Sequence, residues 1–153
     1  MPIPIASDHA GLPLTQALIS ALEAEGLSFD DLGTHGPESV DYPDFAHAVC
    51  ARVTGTEGFG ILVCGTGIGM AMAANRHPGI RAAVLHNATE ARLTRAHNNA
   101  NIACLGARTT GIEVALDAIR AFLAGPFEGG RHERRLQKLD PALAKQGAAG
   151  AKP

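Results

Sequence analysis

The chain has 153 residues, with 13 Lys+Arg against 15 Asp+Glu and a net charge of -2 when its 7 histidines are neutral. One domain is expected at this length, large enough to bury about two-thirds of its unfolded surface, and 46% hydrophobic against 18% charged residues excludes a disordered chain. The near balance conceals a split, because residues 1–51 hold eight acids and no Lys or Arg while residues 52–153 carry +6, an asymmetry that raises nucleic-acid or membrane binding as possibilities.

Taken in chain order, Ile3 to Ser7 is a short apolar run, and Leu14, Ala17, Leu18, Ala21 and Leu22 repeat at helical spacing within Leu12 to Leu22. Gly26 stops that helix, Leu27 to Leu32 reads as a weak strand, residues 34–43 as a loop and Phe45 to Val53 as a second helix. Gly60 to Cys64 is a continuous apolar run typical of a strand buried on both faces, followed by a glycine-rich turn and an Ala/Met-rich helix to Arg76. The pattern repeats with a strand over 80–85 and a helix over 89–97, then a strand over 101–105 and a helix over 112–123. A final polar helix is expected over 129–146 and a frayed, flexible tail over 147–153, so that residues 1–146 form a single domain. This alternation predicts an α/β fold with a five-stranded parallel sheet covered on both faces. Ligands of such sheets bind at the carboxyl ends of strands, which directs attention to the loops after Ser7, Cys64, Leu85 and Leu105.

Three cysteines (Cys50, Cys64, Cys104) without a CxxC pair argue against a disulfide framework or a structural zinc site and fit a reducing cytoplasm. The N-terminus MPIPIASDHAG lacks both a basic segment and a long apolar one, and no stretch approaches the ~20 apolar residues of a membrane span. A soluble, unexported protein is expected. Only 4% of residues are aromatic and none is Trp, so stacking platforms for single-stranded nucleic acid are scarce.

Four segments could carry chemistry. In Cys64-Gly65-Thr66-Gly67-Ile68-Gly69 a thiol ends a buried strand and leads into glycines and a helix start. Backbone N–H groups there can approach an anion, and the same field favours a thiolate. Glycine at position 70 would be needed for a dinucleotide fingerprint, but Met70 stands there, and no G-K-[ST] P-loop occurs. A compact anion cradle remains, with a plain strand end before a tight turn as the alternative. Asp8-His9 at the end of the first strand sets a carboxylate beside an imidazole, suited to proton transfer, although Ser7 or Asp8 could simply cap the next helix.

His97, Asn98 and Asn99 close a helix, where His is an ordinary partner of the helix dipole and Asn an ordinary turn residue. A role for His97 as a base and Asn98 as a donor would require substrate beside them. Arg131 and Arg135 share a helix face and could grip one phosphate with two planar forks, or form a solvated surface. They are too few for a nucleic-acid stripe. Histidines 35, 47, 77 and 86 show no ligand-like spacing, and no metal constellation is visible.

Taken together and in this order, S-D-H-A-G at 7–11, D-Y-P at 41–43, C-G-T-G-I-G at 64–69, A-A-N-R at 73–76, H-N-N-A-N at 97–101, G-A-R at 106–108 and E-G-G-R-H-E-R-R at 128–135 resemble the ribose-5-phosphate isomerase B and galactose-6-phosphate isomerase family. The resemblance covers roughly residues 3–140 and implies a Rossmann-like three-layer α/β/α sandwich, homodimeric or homotetrameric. The implied enzyme interconverts a phosphorylated aldose and its ketose with no cofactor or metal, in sites shared between subunits. It implies that Cys64 is the base between C2 and C1, that Thr66 and the backbone of Gly65, Gly67, Ile68 and Gly69 hold the enediolate oxygens, and that Asp8 relays hydroxyl protons. His97 would open the furanose ring with Asn98 bound near it, Tyr42 would line the sugar pocket, and Arg131, Arg135, His9 and Arg108 would bind phosphate. Some relatives place a glutamate base early in the helix after the glycine loop, where this chain has Met70. Ribose 5-phosphate is the expected substrate. Galactose 6-phosphate, allose 6-phosphate or a tetrose phosphate is an alternative, as is a non-catalytic flavodoxin-like binder of a phosphate or nucleotide.

Overall fold

The two least interrupted apolar runs in the sequence become the central strands. The computed structural model describes residues 1–139. In chain order its elements are β1 (Ile3–Ser7), α1 (Leu12–Ala24), β2 (Phe29–Asp31), α2 (Tyr42–Val53), β3 (Gly60–Cys64), α3 (Ile68–Ala74), β4 (Ala82–Val84), α4 (Ala88–Asn98), β5 (Ile102–Gly106), α5 (Ile112–Ala124) and α6 (Arg131–Leu136). All strand pairs are parallel, in the order β2-β1-β3-β5-β4. Every residue of β3 and β5 is buried, whereas the edge strands β2 and β4 are three residues long and only half-buried.

Alternate residues along the strands divide the core in two. Ile5, Ile61, Val63 and Leu105 pack with Leu18, Leu22, Ile119 and Phe122 from α1 and α5. Ala6, Leu62, Cys64 and Cys104 pack on the other face with Val49, Cys50 and Met70 from α2 and α3. The result is the expected Rossmann-like three-layer α/β/α arrangement. Among the described residues no helix is long and apolar enough to cross a membrane.

Several boundaries differ from the sequence expectation. The second helix begins at Tyr42 rather than Phe45, with Pro43 in its first turn, where a missing N–H breaks no helical bond. The edge strands are shorter than the segments 27–32 and 80–85, because flanking residues have a neighbour on one side only. The final helix spans Arg131–Leu136 within the expected 129–146. The rest of that expectation beyond residue 139, and the expected tail at 147–153, lie outside the described residues.

One consequence of the topology governs the site. Strands β4 and β5 are parallel neighbours, so α4, which joins the end of β4 to the start of β5, must run back across the sheet. Its first turn lies at the edge where strands end and its last turn at the edge where they begin. Asn101, just past α4, accordingly hydrogen-bonds the starts of neighbouring strands: Gly60 N–H donates to its carbonyl at 2.9 Å and Arg81 N–H to its Oδ1 at 2.8 Å.

Candidate active site

The sheet order reverses between β1 and β3, and the loops leaving these strands form one cluster. Such a switch point opens a crevice at the carboxyl ends of strands. Cys64 is the last residue of β3, and its Sγ accepts a hydrogen bond from the Gly67 N–H at 3.2 Å. Gly67 makes this turn possible at φ 78°, in the left-handed region, and a Cβ there would stand 3.0 Å from the carbonyl carbon of Leu105. Ile68 N–H donates to Thr66 Oγ1 at 3.3 Å, while the first backbone bond into α3 runs from Ala71 N–H to the Gly67 carbonyl at 3.0 Å. The Gly69 N–H therefore has no helical acceptor. The Cys64 sulfur thus sits in a glycine turn that gives it the Gly67 N–H, with the Thr66 hydroxyl and the Gly69 N–H on the same turn.

Other residues expected at the site close around this turn. Arg108 packs over Gly65, its Nη1 3.3 Å from where a Cβ would lie, and its N–H donates to the Gly65 carbonyl at 2.9 Å. The Tyr42 ring lies over Gly69 so closely that a Cβ would meet Cζ at 2.7 Å. At the neighbouring strand end Asp8 is buried, and its N–H donates to the Val63 carbonyl at 3.3 Å. Its Oδ1 accepts from Gly11 N–H at 2.9 Å. Helix α1 itself starts from Gly11 without a side-chain cap, so neither Ser7 nor Asp8 fills the capping position considered from sequence. His9 Nδ1 accepts from Val40 N–H at 3.3 Å. An imidazole that accepts at Nδ1 carries its proton on Nε2, which leaves that nitrogen a donor.

All three thiols are free and buried. Burial pushes Cys50 up to about 11. Cys104, in the middle of β5, is pushed up further, mainly by burial and then by the neighbouring Cys64 and Cys50 thiols. Neither has a glycine-turn donor, in contrast to Cys64, so they serve the core and not the cradle.

The remaining expected residues stand at the opposite edge. His97 and Asn98 occupy the last turn of α4. Strand β5, five residues long, separates that turn from the level of Cys64, which is about 16 Å along the strands. Helix α6 joins His97 there: the His132 ring is buried and stacks on His97, with centroids 4.4 Å apart and planes 12° from parallel. Arg131 and Arg135 are exposed on the same short helix. Within one copy of the chain, two groups of expected site residues thus face away from one another. Sequence order gave no hint of this, although the direction of the β4–α4–β5 crossover implies it.

Three further residues organise the second group; from sequence Asn99 reads only as an ordinary turn residue, and Arg95 and Glu128 have no individual role. Arg95, buried in α4, donates from Nη1 to Asn99 Oδ1 at 2.8 Å and to the Ala100 carbonyl at 2.7 Å, and from Nε to the Gly125 carbonyl at 3.1 Å. Its guanidinium carbon lies 4.6 Å from the centroid of Phe59, and burial lowers its pKa, with Arg81 adding to the effect. Asn99 ends the helix at φ 45°, a left-handed conformation that Asn tolerates. Glu128 is tied to α4 by its N–H, which donates to the Ala96 carbonyl at 3.1 Å, and its Oε2 is 3.7 Å from His132 Nε2. Burial is the main cause holding His132 below the usual histidine range, followed by the His97 and Arg131 charges.

Comparison with known proteins agrees with this architecture. Residues 3–139 match the family model described as Ribose/Galactose Isomerase. The chain is 40% identical to ribose-5-phosphate isomerase B of Escherichia coli over 86% of this chain and 89% of that one. Among solved structures, a ribose 5-phosphate isomerase of Thermotoga maritima superposes with TM-score 0.89 at 50% identity, covering 92% of this chain and 97% of its own. Ribose-5-phosphate isomerase B from Mycoplasma genitalium with bound ribulose-5-phosphate gives TM-score 0.87 at 38% identity, covering 95% and 96%. With the fold, the glycine cradle and these matches in agreement, the chain belongs to the ribose/galactose isomerase family, whose members are enzymes.

Proposed function

We propose that the protein interconverts ribose 5-phosphate and ribulose 5-phosphate in a site that two copies of the chain build together. The observation carrying this reading is the Cys64 sulfur, 3.2 Å from the Gly67 N–H within a turn of backbone donors at the switch point of the sheet. A carbon acid next to a carbonyl is too weak for an isolated thiolate to deprotonate quickly. Most of the rate must come from donors already aimed where negative charge develops.

In the proposed reaction the Cys64 thiolate takes the proton from C2 of the open-chain aldose, and the electron pair moves through C1 onto the aldehyde oxygen. Thr66 and the backbone of Gly65, Gly67, Ile68 and Gly69 hold the resulting enediolate. Asp8 accepts the hydroxyl proton from O2 and returns one to O1, while the Cys64 thiol returns its proton to C1 to give the ketose. Tyr42 walls the sugar subsite. His9 and Arg108 meet the phosphate from the side of the cradle.

His97 opens the furanose ring, Asn98 binds beside it, and Arg131 and Arg135 complete the phosphate grip. These four residues come from a second copy, because a single ribose phosphate cannot reach both edges of one sheet. Two further features support a subunit contact beside the cradle: Ile68 and Met72 on α3 are 51% and 62% exposed, and Tyr42 is 38% exposed. The pairing also joins basic α6 to the acidic first third of its neighbour, closing the charge division of the sequence. Three free thiols fit a reducing compartment, and the cytoplasm is the proposed location.

The family description names both ribose and galactose, which makes galactose 6-phosphate the competing substrate. Values of kcat/KM measured for four-, five- and six-carbon aldose phosphates decide between them. The highest value is expected for ribose 5-phosphate, and a higher value for a six-carbon substrate overturns the assignment. Cys64→Ala is expected to lose turnover while retaining sugar-phosphate binding. Binding without turnover in the unaltered protein would instead support a non-catalytic phosphate- or nucleotide-binding module.

A further inference from the structure

The cluster joining α4 to α6 has a chemistry that ring opening does not require. His97, Glu128 and His132 each contribute a potential ligand atom, and these atoms all lie within 4.8 Å of one another. Three separate segments are held together there by the imidazole stack and by the Glu128 N–H bonded to the Ala96 carbonyl. His132 is buried and therefore restricted, whereas the Glu128 side chain is 60% exposed and free to adjust.

Two imidazoles and one carboxylate match the borderline-soft preference of zinc and related transition metals. Magnesium and calcium prefer shells made entirely of oxygen, and this cluster offers one carboxylate. Tetrahedral zinc with bonds of about 2.0–2.2 Å sets neighbouring ligand atoms roughly 3.3–3.6 Å apart. The His132 Nε2 to Glu128 Oε2 separation of 3.7 Å is already close. The exposed Glu128 carboxylate adjusts, the His97 ring tilts out of its stack on His132 so that the two ring nitrogens converge on the ion, and water fills the fourth position usual for a site with three protein ligands.

We infer that His97, Glu128 and His132 form a binding site for a divalent transition metal, zinc being the best-fitting ion, and that metal bound there inhibits the enzyme. The inhibitory part rests on the proposed ring-opening role of His97. A metal-ligated imidazole nitrogen has its lone pair engaged and cannot exchange a proton with the sugar. The site is thus a brake on the reaction and not a catalytic centre.

The test uses the full chain, stripped with EDTA and titrated with Co2+ as a spectroscopic probe and Zn2+ as an inhibitor. A visible cobalt band without sulfur-to-metal charge transfer is expected, which separates this cluster from any binding at Cys64. Both His132→Ala and the exposed-site variant Glu128→Gln are expected to weaken binding by at least the about 10–100-fold that loss of an outer partner alone costs a metal site. Glu128→Gln is also expected to keep its metal-free turnover and lose sensitivity to Zn2+, while EDTA restores the inhibited wild type. Cobalt binding of equal strength in all three proteins, or thiolate charge transfer, overturns the site. Binding that depends on these residues but leaves turnover of cyclic ribose 5-phosphate unchanged overturns the inhibition. Failure to isomerise any sugar phosphate would count against the proposed function, while the cobalt spectrum would still decide the metal site.

Discussion

Cys64 ends β3 at one edge of the sheet, and His97 lies in the last turn of α4 at the other, about 16 Å away along the strands. Both residues are assigned to the same reaction. A shared site between two copies reconciles that assignment with the fold, and it makes each residue's contribution separable by experiment.

Ring opening is a distinct step from proton transfer between C2 and C1. His97→Ala is expected to lower kcat/KM for cyclic ribose 5-phosphate by about the 100- to 10,000-fold that a positioned acid or base contributes. On a substrate supplied in open-chain form the loss is expected to be small. Equal losses on both forms would remove the ring-opening role.

Thiol reactivity separates the cradle from the core. Cys50 stays protonated until the pH passes about 11, and Cys104 is raised further. Alkylation at pH 8 followed by peptide mapping should therefore label Cys64 first, with turnover lost in step with that label. Labelling of Cys50 before Cys64, or full labelling of Cys64 with turnover retained, contradicts the assignment of the base.

Arg95 holds the turn that carries His97. Arg95→Met keeps much of the bulk over Phe59 but leaves the Gly125 and Ala100 carbonyls and Asn99 Oδ1 without that donor. A stability loss of about 1–3 kcal/mol is expected from leaving one buried and two part-buried acceptors without their donor, read as a lower urea midpoint. Wild-type stability in the variant would show that water or another side chain satisfies these acceptors.

The stacked histidines give the fold a defined pH response. The folded pKa of His132 lies below its ordinary value of 6.5, mainly through burial. Above 6.5 the ring is neutral in both states and adds no pH dependence. As pH falls below 6.5 the unfolded chain binds the proton first, so the folded state loses stability until the folded ring is also protonated. Between pH 7 and 5 the melting temperature of the wild type should fall more steeply than that of His132→Gln. Parallel curves for the two proteins would contradict a lowered His132 pKa.

The elements that sequence described best are those whose signal is local. Gly60–Cys64 is apolar throughout because helices cover both faces of β3, and the following glycines are required by backbone geometry at Gly67 and by the Tyr42 ring at Gly69. Pro43 was misleading because proline favours loops and the first helical turn alike, and only the chain's path distinguishes them. Asp8 looked like a helix cap, yet its carboxylate accepts from the N–H of Gly11, the residue immediately before the first turn of α1, and not from an N–H within that turn.

What sequence could not supply was mostly long-range. His132 reads as one member of a basic run, and only the packing of α6 on α4 buries it against His97. Arg95 is likewise indistinguishable from a solvated helix arginine until Phe59, Asn99 and Gly125 surround it. The division of site residues between two edges was implicit in the strand and helix order, but motif spacing alone treats residues as if they met in one place.

The central claim is that one active site takes Cys64 from one copy and His97 from another. Cys64→Ala and His97→Ala chains, each severely impaired alone on cyclic ribose 5-phosphate, should be unfolded together, refolded as a mixture and assayed. In a twofold dimer each mixed pair carries one fully wild-type site and one doubly altered site, so random pairing should restore about a quarter of wild-type activity. Activity no greater than the sum of the two separate variants, with mixed dimers demonstrated by native mass spectrometry, would contradict the shared site.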